Sequence, residues 1–386
     1  MSDFLLFAAI GAALGLGWYL LRTRRRVEAP APTPPAVVAP PSIHDQIKAQ
    51  LTAAPAQKIP DFALSTDDAE KEGSLRFVAG AEDALFGTSE ESSWRPVLDA
   101  LRAVRDRHIT KWRELDAITS VARASNGVDQ LLEALEKDDL APHVRNMLWT
   151  LARKSRRAES VKWGMAIGSV GMQEAEVETL LVLAVHAEFT LYAAHALFRE
   201  GAREPRYRQK LVELLPRVRQ WGVVRVIDYI VVDETLVRDP VVQRKLVVHG
   251  MQNNDGIPNE VALTIAKAVD VRRLIGESMD DPRLFHAMVD LISTLLDLSN
   301  PLGNLKSLDG WEGIWHAWLA LLHKIPSSTR VMWSLFVLEA FLALDDDSWP
   351  LKESETAHVV ELLAAKLSVG ALRSGLRDPE ERAMAL

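Results

Sequence analysis

The sequence predicts an all-α protein: a solenoid of stacked helix pairs, preceded by one N-terminal membrane-spanning helix and a Pro-rich linker. Three observations predict it. An 18-residue uncharged run occupies Phe4–Leu21, a six-proline stretch follows at residues 29–41, and after Ser93 apolar residues recur with helical spacing between short turns.

The N-terminal run is just long enough to cross a hydrocarbon core about 30 Å thick at about 1.5 Å per residue. A cleaved leader carries its positive charge ahead of the apolar run and small residues after it. Here Asp3 precedes the run, and Arg22, Arg24, Arg25 and Arg26 follow it. The order predicts a retained anchor over residues 1–26. The positive-inside rule then places the N-terminus outside and the rest of the chain in the cytoplasm, on an inner membrane of bacterial type. Trp18 and Tyr19 fall where amphipathic rings favour the interface. Gly11 and Gly15 form a G-x-x-x-G pair, and Ala8/Ala12 and Ala13/Gly17 repeat the spacing, so two spans could approach closely as a homodimer. The same glycines make no phosphate loop, because no strand precedes them.

Residues 27–92 read as a linker. The prolines of 29–41 exclude helix and favour an extended spacer. Ile43, Ile47 and Leu51 predict one short amphipathic helix over 42–54. Between Asp67 and Glu91 eight acids face two bases with weak periodicity, a disordered composition.

Residues 93–376 read as the helical domain, with a tail at 377–386. Its turns are marked by Asn126-Gly127, Ala141-Pro142, Glu204-Pro205, Asp239-Pro240, Asn254-Asp255-Gly256 and Asp281-Pro282, several with an acid ahead of a proline at a helix start. The helices look paired. "VDQLLEALEKDDLAPHVRNMLWTLARKS" reads as helix, turn, helix, and three further segments repeat the plan, with second helices starting near 143, 188, 222 and 259. Such a pair cannot bury its own apolar face, and stacking the pairs does.

Val144-Arg145 and Val224-Arg225 near second-helix starts, the run Ala193-Ala194-His195-Ala196-Leu197, and "WGVVRVIDYIVVDE" followed by "DPVVQRKLVVHG" carry a resemblance. Over about residues 127–298 the chain resembles HEAT-like (armadillo-type) helical repeat proteins of bacterial membrane-anchored kind. The resemblance implies the fold and says little of function, because solenoids host many roles.

No catalytic signature is present. The ten histidines are scattered, H-E-x-x-H and every His-Glu dipeptide are absent, and so are G-x-S-x-G and Walker A patterns. Cysteine is absent, which excludes thiolate metal sites and disulfides. His316 and His323, seven apart, and His186 and His195 read as scattered histidines rather than ligands. Asp345–Asp347 lacks the glycine and later ligands of a calcium loop and reads as an acidic helix end. Neither cofactor nor metal is expected.

Two features suggest recognition. Trp311, Trp315 and Trp318 fall at i, i+4, i+7 on one helix, with Asp309 as its expected cap and Glu312 completing a capping box. The stripe reads either as a packing face or as binding anchors. Residues 143–162 carry six bases and one acid, and residues 199–225 eight bases and three acids. If they share a face, Arg203, Arg206, Arg208, Arg217 and Arg219 steer an acidic protein, anionic lipid or nucleic acid. Net charge of −8 and few interleaved aromatics disfavour nucleic acid. The expected function is a non-catalytic, membrane-anchored scaffold or adaptor that binds a protein partner. The rivals are an enzyme with its pocket in the solenoid groove, and a lipid- or nucleic-acid-binding solenoid.

Overall fold

Eighteen α-helices and three short 3-10 turns make up the described part of the chain, with no strand among the described residues. The computed structural model describes residues 40–53, 94–254, 258–297, 303–326, 328–344 and 352–366. The helices are α1 (Ile43–Ala53), α2 (Trp94–Arg105), α3 (Trp112–Thr119), α4 (Val128–Lys137), α5 (Ala141–Lys154), α6 (Ala158–Gly168), α7 (Glu174–Leu183), α8 (Ala187–Glu200) and α9 (Arg206–Leu214). They continue with α10 (Trp221–Val231), α11 (Glu234–Val237), α12 (Pro240–Gln252), α13 (Pro258–Ala268), α14 (Val271–Glu277), α15 (Pro282–Leu295), α16 (Trp311–Lys324), α17 (Thr329–Leu344) and α18 (Lys352–Lys366). The all-helical expectation holds for these residues. None of these helices is long and apolar enough to cross a membrane. The span expected over Phe4–Leu21, its flank Arg22 to Arg26, the Gly11/Gly15 pair, the acidic stretch 67–91, Asp345–Asp347 and the tail 377–386 all lie outside the described residues.

Helix starts follow local chemistry. Asp239 accepts from the Val241 N–H at 2.8 Å ahead of Pro240, and Asp281 accepts from the Arg283 N–H at 3.0 Å ahead of Pro282. Each aspartate satisfies one of the donors a helix start leaves unpaired. The expected cap at Asp309 is not used. α16 is entered through Gly310 at φ 67°, a left-handed conformation that glycine adopts without steric cost, and no side chain caps it.

Helices α6, α8, α10, α13, α15 and α17 form a row in which each packs on the next. α5 packs against α6, α9 against α8 and α10, and α12 against α13 and α15. The second helices expected near 143, 188, 222 and 259 are α5, α8, α10 and α13. One pairing differs from the expectation. α5 takes α6 as its main partner rather than α4. The reason is Gly164 on α6. A Cβ there would lie 2.7 Å from the Leu148 carbonyl oxygen and 2.8 Å from the Ala152 nitrogen, so only hydrogen lets the two backbones meet.

The short helix expected over 42–54 is α1, and it is docked rather than carried free in a spacer. Ile43 and Ile47 are buried, α1 packs on α5 and α7, and the Ile43 N–H donates to the Ser155 carbonyl at 3.1 Å. Burying one such isoleucine contributes about 1.5–3 kcal/mol. The described residues from Ser42 onward therefore belong to one compact unit.

Candidate functional site

The tryptophan stripe is interior. Trp315 and Trp318 are 1% and 0% exposed, and Trp311 is half-buried against the same core. Trp318 stacks on Phe285 of α15 at 6.0 Å, Trp315 packs on Phe341 of α17 at 6.1 Å, and the Trp315 N–H donates to Glu355 of α18 at 3.0 Å. As partner anchors Trp315 and Trp318 are corrected: their rings pack against α15, α17 and α18, the packing alternative weighed from the sequence. Three of the histidines weighed from the sequence have the following surroundings. His186 accepts from the Glu188 N–H at the start of α8, while His195 meets the Tyr229 hydroxyl at 3.1 Å. His316 is surface-exposed beside Glu355. Among the described residues no group of three His, Cys, Asp or Glu side chains is placed to hold a metal ion.

The basic runs do not make a free positive stripe either. Arg208 bonds to buried Asp233 at 2.8 Å and lies over the Phe198 ring. Arg206 lies 3.4 Å from Glu174 and 3.6 Å from Glu204, and Arg203 lies 3.8 Å from Glu200. Arg217 and Arg219 are half-buried in the turn before α10, and burial pushes the Arg217 guanidinium pKa down. In the earlier run Arg145 pairs with Glu176, Arg157 donates to Ser120 at 2.7 Å, and Lys162 bridges Glu159 at 2.8 Å and Glu188 at 2.6 Å. Acids from neighbouring helices answer most of the bases that cluster in sequence. The local field is therefore far weaker than the base count implies.

On the row of helices, His195 of α8 and Tyr229 of α10 form a half-buried polar pair. Burial holds the imidazole pKa below its usual value and pushes the phenol up to about 12. The Asp129 carboxylate is 3.8 Å from the ring, too far for a hydrogen bond. Near neutral pH this pair is an uncharged hydrogen bond. It holds α8 to α10 and offers no activated nucleophile.

The exposed feature that stands out is on α17. Trp333 is 51% and Phe336 46% exposed, and Ala340 is exposed beside half-buried Val337. These four fall at i, i+3, i+4 and i+7, so they share one face of the helix. Ser334 and Phe341 turn inward to α16, and Arg330 turns to α15. Val121, Val232, Val241, Met279 and Val360 are also exposed, but each stands singly in a different turn or helix. A single exposed apolar side chain is ordinary, whereas several on one helix face mark a contact surface. Sequence reading missed this face because "TRVMWSLFVLEAFLAL" is apolar all round, so no periodicity separates inside from outside.

Comparisons of the chain with protein-family models, curated proteins and solved structures found no match.

Proposed function

We propose that the chain is a membrane-tethered, non-catalytic scaffold whose cytoplasmic domain is a HEAT-like solenoid, and that it docks a protein partner on α17. The row α6–α8–α10–α13–α15–α17 supports the solenoid reading, since each helix covers the previous one as stacked repeats do. The uncharged run at Phe4–Leu21 with its arginine flank supports the tether. The observation that carries the docking reading is the outward face of Trp333, Phe336, Val337 and Ala340. The occupant that fits is an amphipathic helix of a separate protein, laid across side chains at i, i+3, i+4 and i+7. Tryptophan at the centre of such a face supplies a large anchor.

The test is crosslinking of tagged full-length protein in native membranes, comparing wild type with the double variant Trp333→Asp/Phe336→Asp. Both side chains face out, so the variant folds and its thermal unfolding stays near wild type. Loss of a specific crosslinked protein in the variant supports the reading. Undiminished crosslinking by a folded variant overturns it. A further variant lacking 367–386 separates a foreign occupant from the chain's own C-terminal segment. A new crosslink to Trp333 that appears only on removal of that segment would make the segment the occupant and overturn the partner assignment.

A further inference from the structure

α18 ends at Lys366, whose ammonium donates to the Ile325 carbonyl at 2.6 Å and to the His323 carbonyl at 3.1 Å. A cation on the last carbonyls of a helix is favourable, and here it pins the end of α18 to the end of α16. Ile325 also lines a notch of about 340 Å3. One side of the notch is the 3-10 turn Ser278–Asp280 with the start of α15, and the other is the turn between α16 and α17. Met279, Pro282, Phe285, Ile325 and Pro326 form its apolar wall, and its polar lining includes His286 and Lys324. Met279 is 52% exposed, and both prolines are exposed. Singly these are ordinary surface residues. Gathered around one depression they form an apolar patch of the kind that another segment covers.

The chain itself carries a fitting occupant. The inner face of α18 is made by Val359, Leu362, Leu363 and Lys366. Residues 367–386 lie beyond the described residues. In the amino-acid sequence the same spacing runs on: Leu367 is four after Leu363, and Val369 is seven after Leu362. The first apolar residues past Lys366 are therefore in register with the face that meets the end of α16. Reach is sufficient, because six residues extend about 20 Å, more than the width of a depression of this volume. Attachment favours this occupant over a separate peptide of equal chemistry, since a short tether holds a segment at an effective concentration in the millimolar range.

We propose that residues 367–372 of this chain dock in the notch, with Leu367 and Val369 against Met279, Phe285 and Ile325. The segment is a latch that ties the turn between α16 and α17 to the start of α15. α17 begins at Thr329, one residue after the notch-lining Ser328, so the latch sets how α17 leaves that turn. It is independent of the docking face, because none of the lining residues is among Trp333, Phe336, Val337 and Ala340.

The chain has no cysteine, so one introduced thiol reads the notch alone. In the purified, detergent-solubilised full-length chain, Met279→Cys should react with a soluble maleimide about tenfold more slowly than the same variant lacking 367–386, since a covered thiol reacts only in the open fraction. Leu367→Ser/Val369→Ser should give the fast rate without shortening the chain, which keeps the test decisive if the truncated chain fails to fold. Val360→Cys, at an exposed position of α18, should react at one rate in all three backgrounds. Equal Met279→Cys rates with and without the segment overturn the latch. Protection that fades on dilution also overturns it, because a second copy is then the occupant. A short bis-maleimide should join Val369→Cys to Met279→Cys and not to Val360→Cys. Equal joining to both positions would mean an undocked segment and overturns the latch as well.

Discussion

Trp318 on α16 donates its indole N–H to the Ser334 hydroxyl on α17 at 2.9 Å, and both side chains are interior. This bond fixes the ring that joins α15, α16 and α17. Trp318→Ala should cost about 3–5 kcal/mol through the cavity it leaves. Ser334→Ala should cost about 1–3 kcal/mol, because it strands a buried N–H. Urea unfolding of both variants checks this. A Trp318→Ala loss below about 1 kcal/mol would return the ring to the list of surface anchors.

Two glycines should respond in opposite directions to alanine. Gly164→Ala pushes a methyl into the α5 backbone at 2.7 Å and should destabilise by about 1–3 kcal/mol. Gly276 on α14 has nothing within 4 Å of where its Cβ would stand. Gly276→Ala should stabilise by up to about 1 kcal/mol, because alanine loses less backbone freedom in a helix. Thermal unfolding of the pair reads the difference.

Lys162 is buried between Glu159 and Glu188 and lies over the Tyr192 ring, and Glu159 also accepts from the Ala124 N–H at 2.7 Å. Lys162→Met should cost about 3 kcal/mol, since it leaves two carboxylates facing each other without a cation. Adding Glu188→Gln should recover part of that loss. A double-mutant cycle in urea measures the coupling.

Asp290 should make stability fall as pH rises. Its ordinary value is 3.8 and its folded value about 6, so between these the native state holds more protons than the unfolded chain. Its contribution is full below 3.8 and is lost as pH climbs through about 6. His195 acts in the opposite sense: burial lowers its pKa below 6.5, so its contribution is full above 6.5 and is lost as pH falls through the folded value. In urea unfolding at a series of pH values, the advantage of wild type over Asp290→Asn should therefore shrink from about pH 4 to pH 7.

Docking of α1 can be probed separately from the rest. Ile47→Asp places a carboxylate in a buried site and should release α1 from α5 and α7. Amide exchange over 43–53 should rise to that of an open segment, while α10 and α15 keep their protection. Unchanged protection of α1 would refute the docking.

Much of the helix inventory was legible because an apolar period of about 3.6 is a local property. α8, α10 and α13 begin within a residue of where their turn signals put them. α6 was not picked out, because "AESVKWGMAIG" is buried almost all round and carries no polar stripe to give it a phase. The face of α17 escaped for the same reason. The arginines misled for another. Asp233 lies 25 residues beyond Arg208 and Glu176 lies 31 beyond Arg145, so a count of neighbours along the chain misses the charges that neutralise them.

The sequence by itself determined that this chain is helical after residue 93, where most helices begin, and that an uncharged run, an arginine flank and a proline stretch precede them. Periodicity, caps and composition act over one or two turns, and they need no partner to take effect. Only the tertiary structure decided which helices meet, which tryptophans are core, which bases are paired, and that Lys366 at the end of α18 meets the end of α16. Those outcomes depend on groups tens of residues apart arriving at the same few ångströms, and on close approaches such as that at Gly164 which no linear pattern records.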